Sequence, residues 1–443
     1  MQGSAVKSVV TKTVEAKPVS VNRMKIILLS MNFAPELTGI GKYSGEMADE
    51  LVARGHEVIV VCAPPYYPKW TVGSGYSNQA WTREHPRPGL TVLRCPVWLP
   101  RRLGGLARLI HLASFALSSF PVLMRLVMAQ PGVVFVVAPA LFSAPSGWLL
   151  ARLSGAAAWL HIQDFEMDAA FELGLLKGRV MHDLVRGAER RLMGAFDTVS
   201  TISRRMMRQL AAKGVASERT ELLQNWVDLD LVRPGDRSPA LRRSLSIADR
   251  QTVCLFSGTL NRKQGLDTII EAARMLAPHR NIVFVICGNG ELRQALESSA
   301  RDLDNVRFID LQPVDQINAL LNMADIHLLP QLRGAADLVM PSKLAGMLAS
   351  GRPVIAGAAR DTEIAAVVEG CGVLTEPECA LGFANAILDL AADEDKRVAL
   401  GRAGREYAEC TLGTPAVFDR LHLQLARARP ASRSIAGSIA TQR

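Results

Sequence analysis

The residues best suited to chemistry lie in RGAADLVMPSKLAGMLASGRPVIA, residues 333–356. Pro341 fits the first position of a helix, where its missing N–H has no intrahelical partner to lose. Ser342 and Lys343 then fall in the first turn, where a hydroxyl, an ammonium and unpaired backbone amides can converge on one anion. A lysine there opposes the helix dipole, an arrangement that makes sense when a phosphate occupies the site. Asp337, just upstream, is placed to accept a hydrogen bond from a sugar hydroxyl, and Arg333 opens the same donor-binding segment. Two further turns share this character. SGTLNRKQG (257–265) leaves a strand at Gly258 and carries Arg262 and Lys263 into a helix starting at Gly265. CGNG (287–290) sets Gly288 and Gly290 where backbone can approach a ligand closely.

In the first half of the chain, PELTGIGKYSG (35–45) places Gly39 and Gly41 in a loop between a strand and a helix. Gly45 comes one residue late for GxGxxG, which disfavours dinucleotide binding. HIQDFEMD (161–168) ends another strand with His161 and Asp164, an imidazole and a carboxylate three apart at an edge that faces a cleft. Asp228/Asp230, Asp302/Asp304 and Asp393/Asp395 fall in a linker or beside exposed helices, so no metal is assigned to them.

Strands must end at these residues for them to meet. KIILLSM (25–31), a helical EMADELVARGH and EVIVVCAP (57–64) make a βαβ unit, and VVFVVAP, AAAWLHIQD and DTVSTIS resume the pattern. The second half repeats it from QTVCLFSG (251–258) through NIVFVICG, NVRFI, ADIHLLP, RPVIAG and CGVL, with a helix near 314–322. Apolar strands alternating with helices predict two α/β, Rossmann-like parallel-sheet domains. The expected division is a mobile extension at 1–23, one domain over 24–228 and a second over 241–405. A helix over 406–429 then packs back on the first domain, and a mobile tail follows at 430–443.

A chain of 443 residues exceeds what one core usually organises, and 49% apolar composition excludes a disordered chain. Residues 1–23 lack the continuous apolar stretch of a signal peptide. Seven scattered cysteines without a CxxC pair point to buried thiols in a reducing compartment, without structural zinc. The net charge of +9 is uneven, because His85 to Gln163 holds seven arginines and no carboxylate. Such a segment suits anionic lipid or a phosphorylated substrate; no nucleic-acid motif accompanies it. Within it, IHLASFALSSFPVLM (110–124) is too short to span a bilayer and reads either as an interfacial helix or as a core helix.

Taken together, PELTGIGKY, GHEVIVVCAPPYYPKW, LHIQDFEMDA, STISRRMM, KQGLDTIIEAA and RGAADLVMPSKL resemble the family-4 retaining glycosyltransferases, in particular their colanic acid branch. That resemblance implies the GT-B fold, with two Rossmann-like domains facing a cleft. It implies transfer from a nucleotide sugar, GDP-fucose ahead of a UDP-hexose, to a polyprenyl-diphosphate-linked oligosaccharide at the cytoplasmic face of a bacterial inner membrane. No cofactor or metal is implied. Donor binding would fall to Gly258, Arg262, Lys263, Gly288, Gly290, Ser342 and Lys343, with Gly39 and Gly41 on the acceptor side and His161 and Asp164 near the reacting sugar. Two departures stand out. The Glu-x7-Glu positions hold Leu338 and Gly346, and the usual lysine before the turn glycine is Gln264. A catalytically silent sugar-nucleotide-binding subunit and a sugar-nucleotide epimerase are the competing expectations.

Overall fold

The computed structural model describes residues 23–36, 39–100, 104–138, 142–165, 179–333 and 342–428. Asp337 and Pro341, the side chain of Lys263, and nearly all of the two expected terminal extensions lie outside the described residues.

The apolar runs become strands. β1 (Lys25–Ser30), β2 (Glu57–Cys62), β3 (Thr82–Arg87), β4 (Leu90–Arg94), β5 (Val133–Ala138), β6 (Ala157–Ile162), β7 (Thr198–Thr201) and β8 (Thr220–Leu222) form one sheet. Its order is β3-β4-β2-β1-β5-β6-β7-β8, and the antiparallel β3–β4 pair is its exception to parallel pairing. β9 (Thr252–Ser257), β10 (Ile282–Cys287), β11 (Val306–Ile309), β12 (Ile326–Leu329), β13 (Val354–Gly357) and β14 (Gly372–Thr375) form the second sheet, parallel throughout, in the order β11-β10-β9-β12-β13-β14. Each sheet is buried on both faces, with one apolar cluster on either side. This is the doubly wound α/β plan that continuous apolar strands require.

Strand order reverses where β1 separates β2 from β5 and where β9 separates β10 from β12. Ligands of such sheets lie in the crevices beyond these carboxyl ends. Where the chain crosses between the two sheets, Val227 N donates to Leu412 O (2.9 Å) and Thr414 N to Val227 O (3.1 Å). The last helix, Thr414–Arg427, buries Val417, Phe418, Leu421 and Leu425 in the same cluster as Ile26, Leu28 and Trp226. The final helix is therefore part of the first domain's core.

The helix Gly105–Arg125 carries two characters at once. His111, Leu112, Phe115 and Leu123 are buried, while Leu106, Ile110, Leu117 and Phe120 are exposed on the other side. By length and composition it could cross a membrane, but its inner face packs in the first domain's core. Two sequence expectations are corrected. Gly39 and Gly41 belong to the first turn of the helix Gly39–Ala53, not to a loop. Gly265 closes a short 3-10 turn in the left-handed region, φ 62°, and the following helix begins at Asp267.

Candidate active site

On the second domain, β9 ends at Ser257 and Gly258 follows, against the side chain of Lys343. A Cβ on Gly258 would stand 3.5 Å from Lys343 Cδ. The helix Ser342–Ala349 starts here, so Lys343 occupies its first turn. Its ammonium donates to Gln264 Oε1 and lies over the Phe256 ring, 4.2 Å from the centroid. Lys343 as a residue is partly exposed, but its charged end is desolvated, and burial lowers its pKa to about 7. Ser342 is exposed and lies close enough to the Tyr43 hydroxyl of the other domain to act on it. Gln264 thus fixes the position of the lysine ammonium.

Gly288 and Gly290 are also required by packing between loops. A Cβ on Gly288 would fall 1.9 Å from Gly258 O, and one on Gly290 would fall 2.3 Å from Leu260 O. The two strand-end loops are zipped together, Gly258 N to Cys287 O (2.9 Å) and Leu260 N to Asn289 O (3.0 Å), and side chains would part them. Arg262 is 84% exposed, with its guanidinium 3.9 Å from Glu291. Arg333 is exposed, and its backbone N–H donates to Glu378 (3.0 Å).

On the first domain, a cavity of about 220 Å³ opens at the β1/β5 reversal, between Asn32, Val137 and Asp164. Gly39 and Gly41 line it beside Glu36. Gly41 has no room for a side chain, since a Cβ would meet Glu36 Oε2 at 2.5 Å. Glu36 accepts from the backbone N–H of Tyr66 and Tyr67 (both 3.0 Å) and from Asn32 Nδ2 (2.9 Å). Burial nevertheless raises its pKa, against those hydrogen bonds. Opposite it, Tyr66, Trp70 and His111 form an aromatic wall with centroids 5.1–5.5 Å apart. His111 Nδ1 contacts Trp98 O (2.7 Å), which can only accept. Its Nε2 therefore accepts from the Tyr66 hydroxyl (3.0 Å), and burial lowers its pKa. Carboxylates beside flat aromatic faces are the groups that hold sugar hydroxyls and sugar C–H faces.

His161 and Asp164 are separated by this arrangement. Asp164 lines the cavity, while His161 is 1% exposed within β6. Ser200 Oγ accepts from Trp159 Nε1 (2.8 Å) and shares a hydrogen bond with His161 Nδ1 (2.9 Å). Burial holds the imidazole neutral, with a pKa of about 3. His161 therefore braces β6 against β7 from behind the cavity wall. Glu36, Tyr66, Trp70, Arg108 and His111 were not singled out as site residues by sequence reasoning. The APPYYP string and the carboxylate in PELTG were the available signals for two of them. Among the described residues no group of His, Cys, Asp and Glu is arranged to hold a metal.

Residues 38–226 match the family described as Glycosyl transferase 4-like domain, and residues 238–407 match Glycosyl transferases group 1. Over 401 residues the chain is 44% identical to the putative colanic acid biosynthesis glycosyl transferase WcaI of Escherichia coli K12, covering 88% of this chain and 96% of that protein. It is 28% identical over 398 residues to a GDP-mannose-dependent alpha-(1-6)-phosphatidylinositol monomannoside mannosyltransferase of Mycobacterium tuberculosis, covering 86% and 93%. Among solved structures, sucrose-phosphate synthase of Thermosynechococcus elongatus is similar with a TM-score of 0.70 at 18% identity, over 92% of this chain and 100% of that one. Anabaena HepE in complex with UDP and glucose gives 0.64 at 16% identity, over 91% and 100%. At such identities the structures share the fold alone, the GT-B pair of Rossmann-like domains.

Proposed function

Because the chain belongs to the glycosyltransferases of this 4-like and group 1 kind, we propose that it moves a sugar from a nucleotide-diphosphate donor to a lipid-linked oligosaccharide. The reaction retains anomeric configuration and serves assembly of a colanic acid-like exopolysaccharide. The observation that carries the reading is Lys343, a desolvated ammonium in the first turn of a helix, at the carboxyl end of β9. A diphosphate there meets free helix amides and a lysine held near neutrality, which it recharges. As the glycosidic bond breaks, negative charge grows on the leaving phosphate, and preformed positive groups stabilise it most at that moment. That phosphate then takes the acceptor hydroxyl's proton, so no strong side-chain base is required. Arg262, Lys263, Arg333 and Asp337 complete the donor set in this reading.

The aromatic and acidic cavity of the first domain suits the acceptor sugar, with Asp164 and Glu36 on its hydroxyls. GDP-fucose is the favoured donor, ahead of a UDP-hexose; a GDP-sugar-dependent relative supports the nucleotide. The exposed stripe Leu106, Ile110, Leu117 and Phe120, flanked by Arg108 and Arg125, supports peripheral attachment to an anionic membrane surface, here the cytoplasmic face of the inner membrane. The test incubates the protein with polyprenyl-diphosphate oligosaccharide and GDP-, UDP- or dTDP-sugars, and follows acceptor mass and product anomer. Acceptor that gains no sugar from any of them, or a product of inverted configuration, overturns the reading.

A further inference from the structure

At the opposite end of the second sheet, where β12 and β13 begin, lies a cavity of about 320 Å³. Five arginines wall it: Arg237, Arg352, Arg397, Arg402 and Arg405. Two carboxylates, Asp325 and Glu394, face them. Asp325 is already engaged twice, by Arg237 Nε (2.9 Å) and by the buried Arg242 Nη2 (2.7 Å). Glu394 reaches Arg237 at only 3.7 Å and is largely exposed. Arg405 pairs with Glu409 outside the cavity (2.7 Å).

Arg352, Arg397 and Arg402 make no direct ion pair with a carboxylate among the described residues, and Asp325, already shared by two other arginines, is the carboxylate that acts on Arg352. Arg397 donates to the carbonyls of Leu390 and Ala391. Arg352 Nη2 donates to Gly235 O (2.7 Å), but its Nε is buried with no partner. Arg402 is exposed and makes no hydrogen bond or ion pair among the described residues. Burial lowers the pKa of Arg352; Asp325 works against this, but the neighbouring Arg237, Arg242 and Arg397 add to the lowering, so the fold holds this cluster at an electrostatic cost. A cavity needs no such cluster for packing, since apolar side chains of similar volume avoid that cost.

The countercharge that fits is a compact anion with several oxygens, because guanidinium forks bind phosphate oxygens in pairs. We propose that this cavity is a binding site for a phosphate-bearing anion, a diphosphate or phosphate ester, separate from the donor site. The two sites lie at opposite ends of one helix. Arg405 Nη1 donates to the carbonyl of Ala349 (2.8 Å), the last residue of the helix that begins with Ser342 and Lys343. Eight residues of helix put about 12 Å between them, too far for one diphosphate to serve both.

The experiment titrates inorganic pyrophosphate into the full-length protein by calorimetry, with Arg402→Glu, Arg352→Gln and Lys343→Gln beside it. Arg402 is exposed, so that variant keeps the fold, which circular dichroism verifies. The expected result is a pyrophosphate event that Lys343→Gln retains and that Arg402→Glu and Arg352→Gln weaken by about tenfold or more. Flotation with phosphatidylglycerol and with phosphatidylcholine vesicles identifies the source. If Arg402→Glu loses pyrophosphate but floats like the native protein, the ligand is a soluble phosphate. If it also loses flotation on phosphatidylglycerol, the ligand is a lipid headgroup. The proposal is overturned if the native protein binds no pyrophosphate, if Lys343→Gln removes all binding, or if Arg402→Glu titrates like the native chain.

Discussion

Donor affinity should fall as pH rises through neutrality, and Lys343 sets by how much. Its ammonium is desolvated over Phe256 beside Gly258, and its pKa in the free protein is about 7. A bound diphosphate favours the charged form and lifts that pKa back toward the ordinary lysine range, near 10.4. Below pH 7 the lysine is already protonated and affinity is level. Above pH 7 binding must first capture a proton, so affinity drops by about a factor of ten per pH unit until the pKa of the complex is reached. From pH 6 to pH 8 the expected loss is about tenfold, or about 1.4 kcal/mol. An intact nucleotide sugar is the ligand to use, because the terminal phosphate of a free nucleoside diphosphate itself titrates near pH 6. Calorimetry in two buffers of unlike ionisation enthalpy reads the proton directly, with nearly one taken up at pH 8 and little at pH 6. Lys343→Gln should bind more weakly and without this pH dependence. Equal native affinity at both pH values with no proton uptake, or native affinity in Lys343→Gln, refutes the reasoning.

Gly288→Ala drives a Cβ to 1.9 Å from Gly258 O, so it should destabilise the second domain by about 3 kcal/mol. An unchanged melting temperature would show that the paired loops yield freely. Glu363 accepts from the N–H groups of Arg204 and Arg205 (both 3.2 Å), capping a first-domain helix from the second domain. Glu363→Ala should weaken that contact by about 1 kcal/mol and raise the radius of gyration in small-angle scattering; an unaltered profile would argue against a closing role. Folding lowers the pKa of His56 to about 4 and of His161 and His327 to about 3, mainly through burial. Below pH 6.5 the unfolded chain takes up protons that the folded chain refuses. Stability is therefore full above pH 6.5 and declines from there toward pH 4, by up to about 1.4 kcal/mol per pH unit for each imidazole. Urea unfolding at pH 7 and pH 5 checks the slope in native protein and in His161→Gln, whose slope should be shallower.

Parts of the site were legible because they rest on local rules. Pro-Ser-Lys ahead of an apolar periodic run announces a helix start, and Ser342 does begin that helix. Continuous apolar runs announce doubly covered parallel strands, and the central strands of both sheets follow them closely. β3 escaped notice because TREHPR is polar and largely exposed; only its pairing with β4 makes it a strand. The first-domain cavity escaped for a different reason. Glu36, Tyr66 and His111 come from three stretches up to 75 positions apart, and no periodicity links them. The placement of His161 was readable in principle from the alternation of β6. It shares its face with Trp159, and both side chains reach Ser200. The glycines of CGNG have a second requirement that the sequence did not show, since the neighbouring loop excludes a side chain there.

The first helix explains how half-sites on separate sheets can act together. Gly39, Ile40 and Gly41 form part of the acceptor cavity. Tyr43, in the next positions, faces Ser342 with its hydroxyl and stacks edge-on against Trp226, with centroids 5.2 Å apart. Glu46, on the same face three residues later, accepts from Trp226 Nε1 (2.8 Å). Trp226 lies at the crossing between domains, against Phe418 of the last helix (4.6 Å). One continuous helix therefore reaches the first-domain cavity, the helix that carries Lys343 and the crossing. Rigid helices move as units, and packed interfaces switch between discrete arrangements instead of bending. In the proposed reading, a sugar bound against Gly41 is coupled through this helix to Ser342 and to the crossing at Trp226. Movement at either contact would then alter the geometry at Lys343, the group proposed to hold the donor.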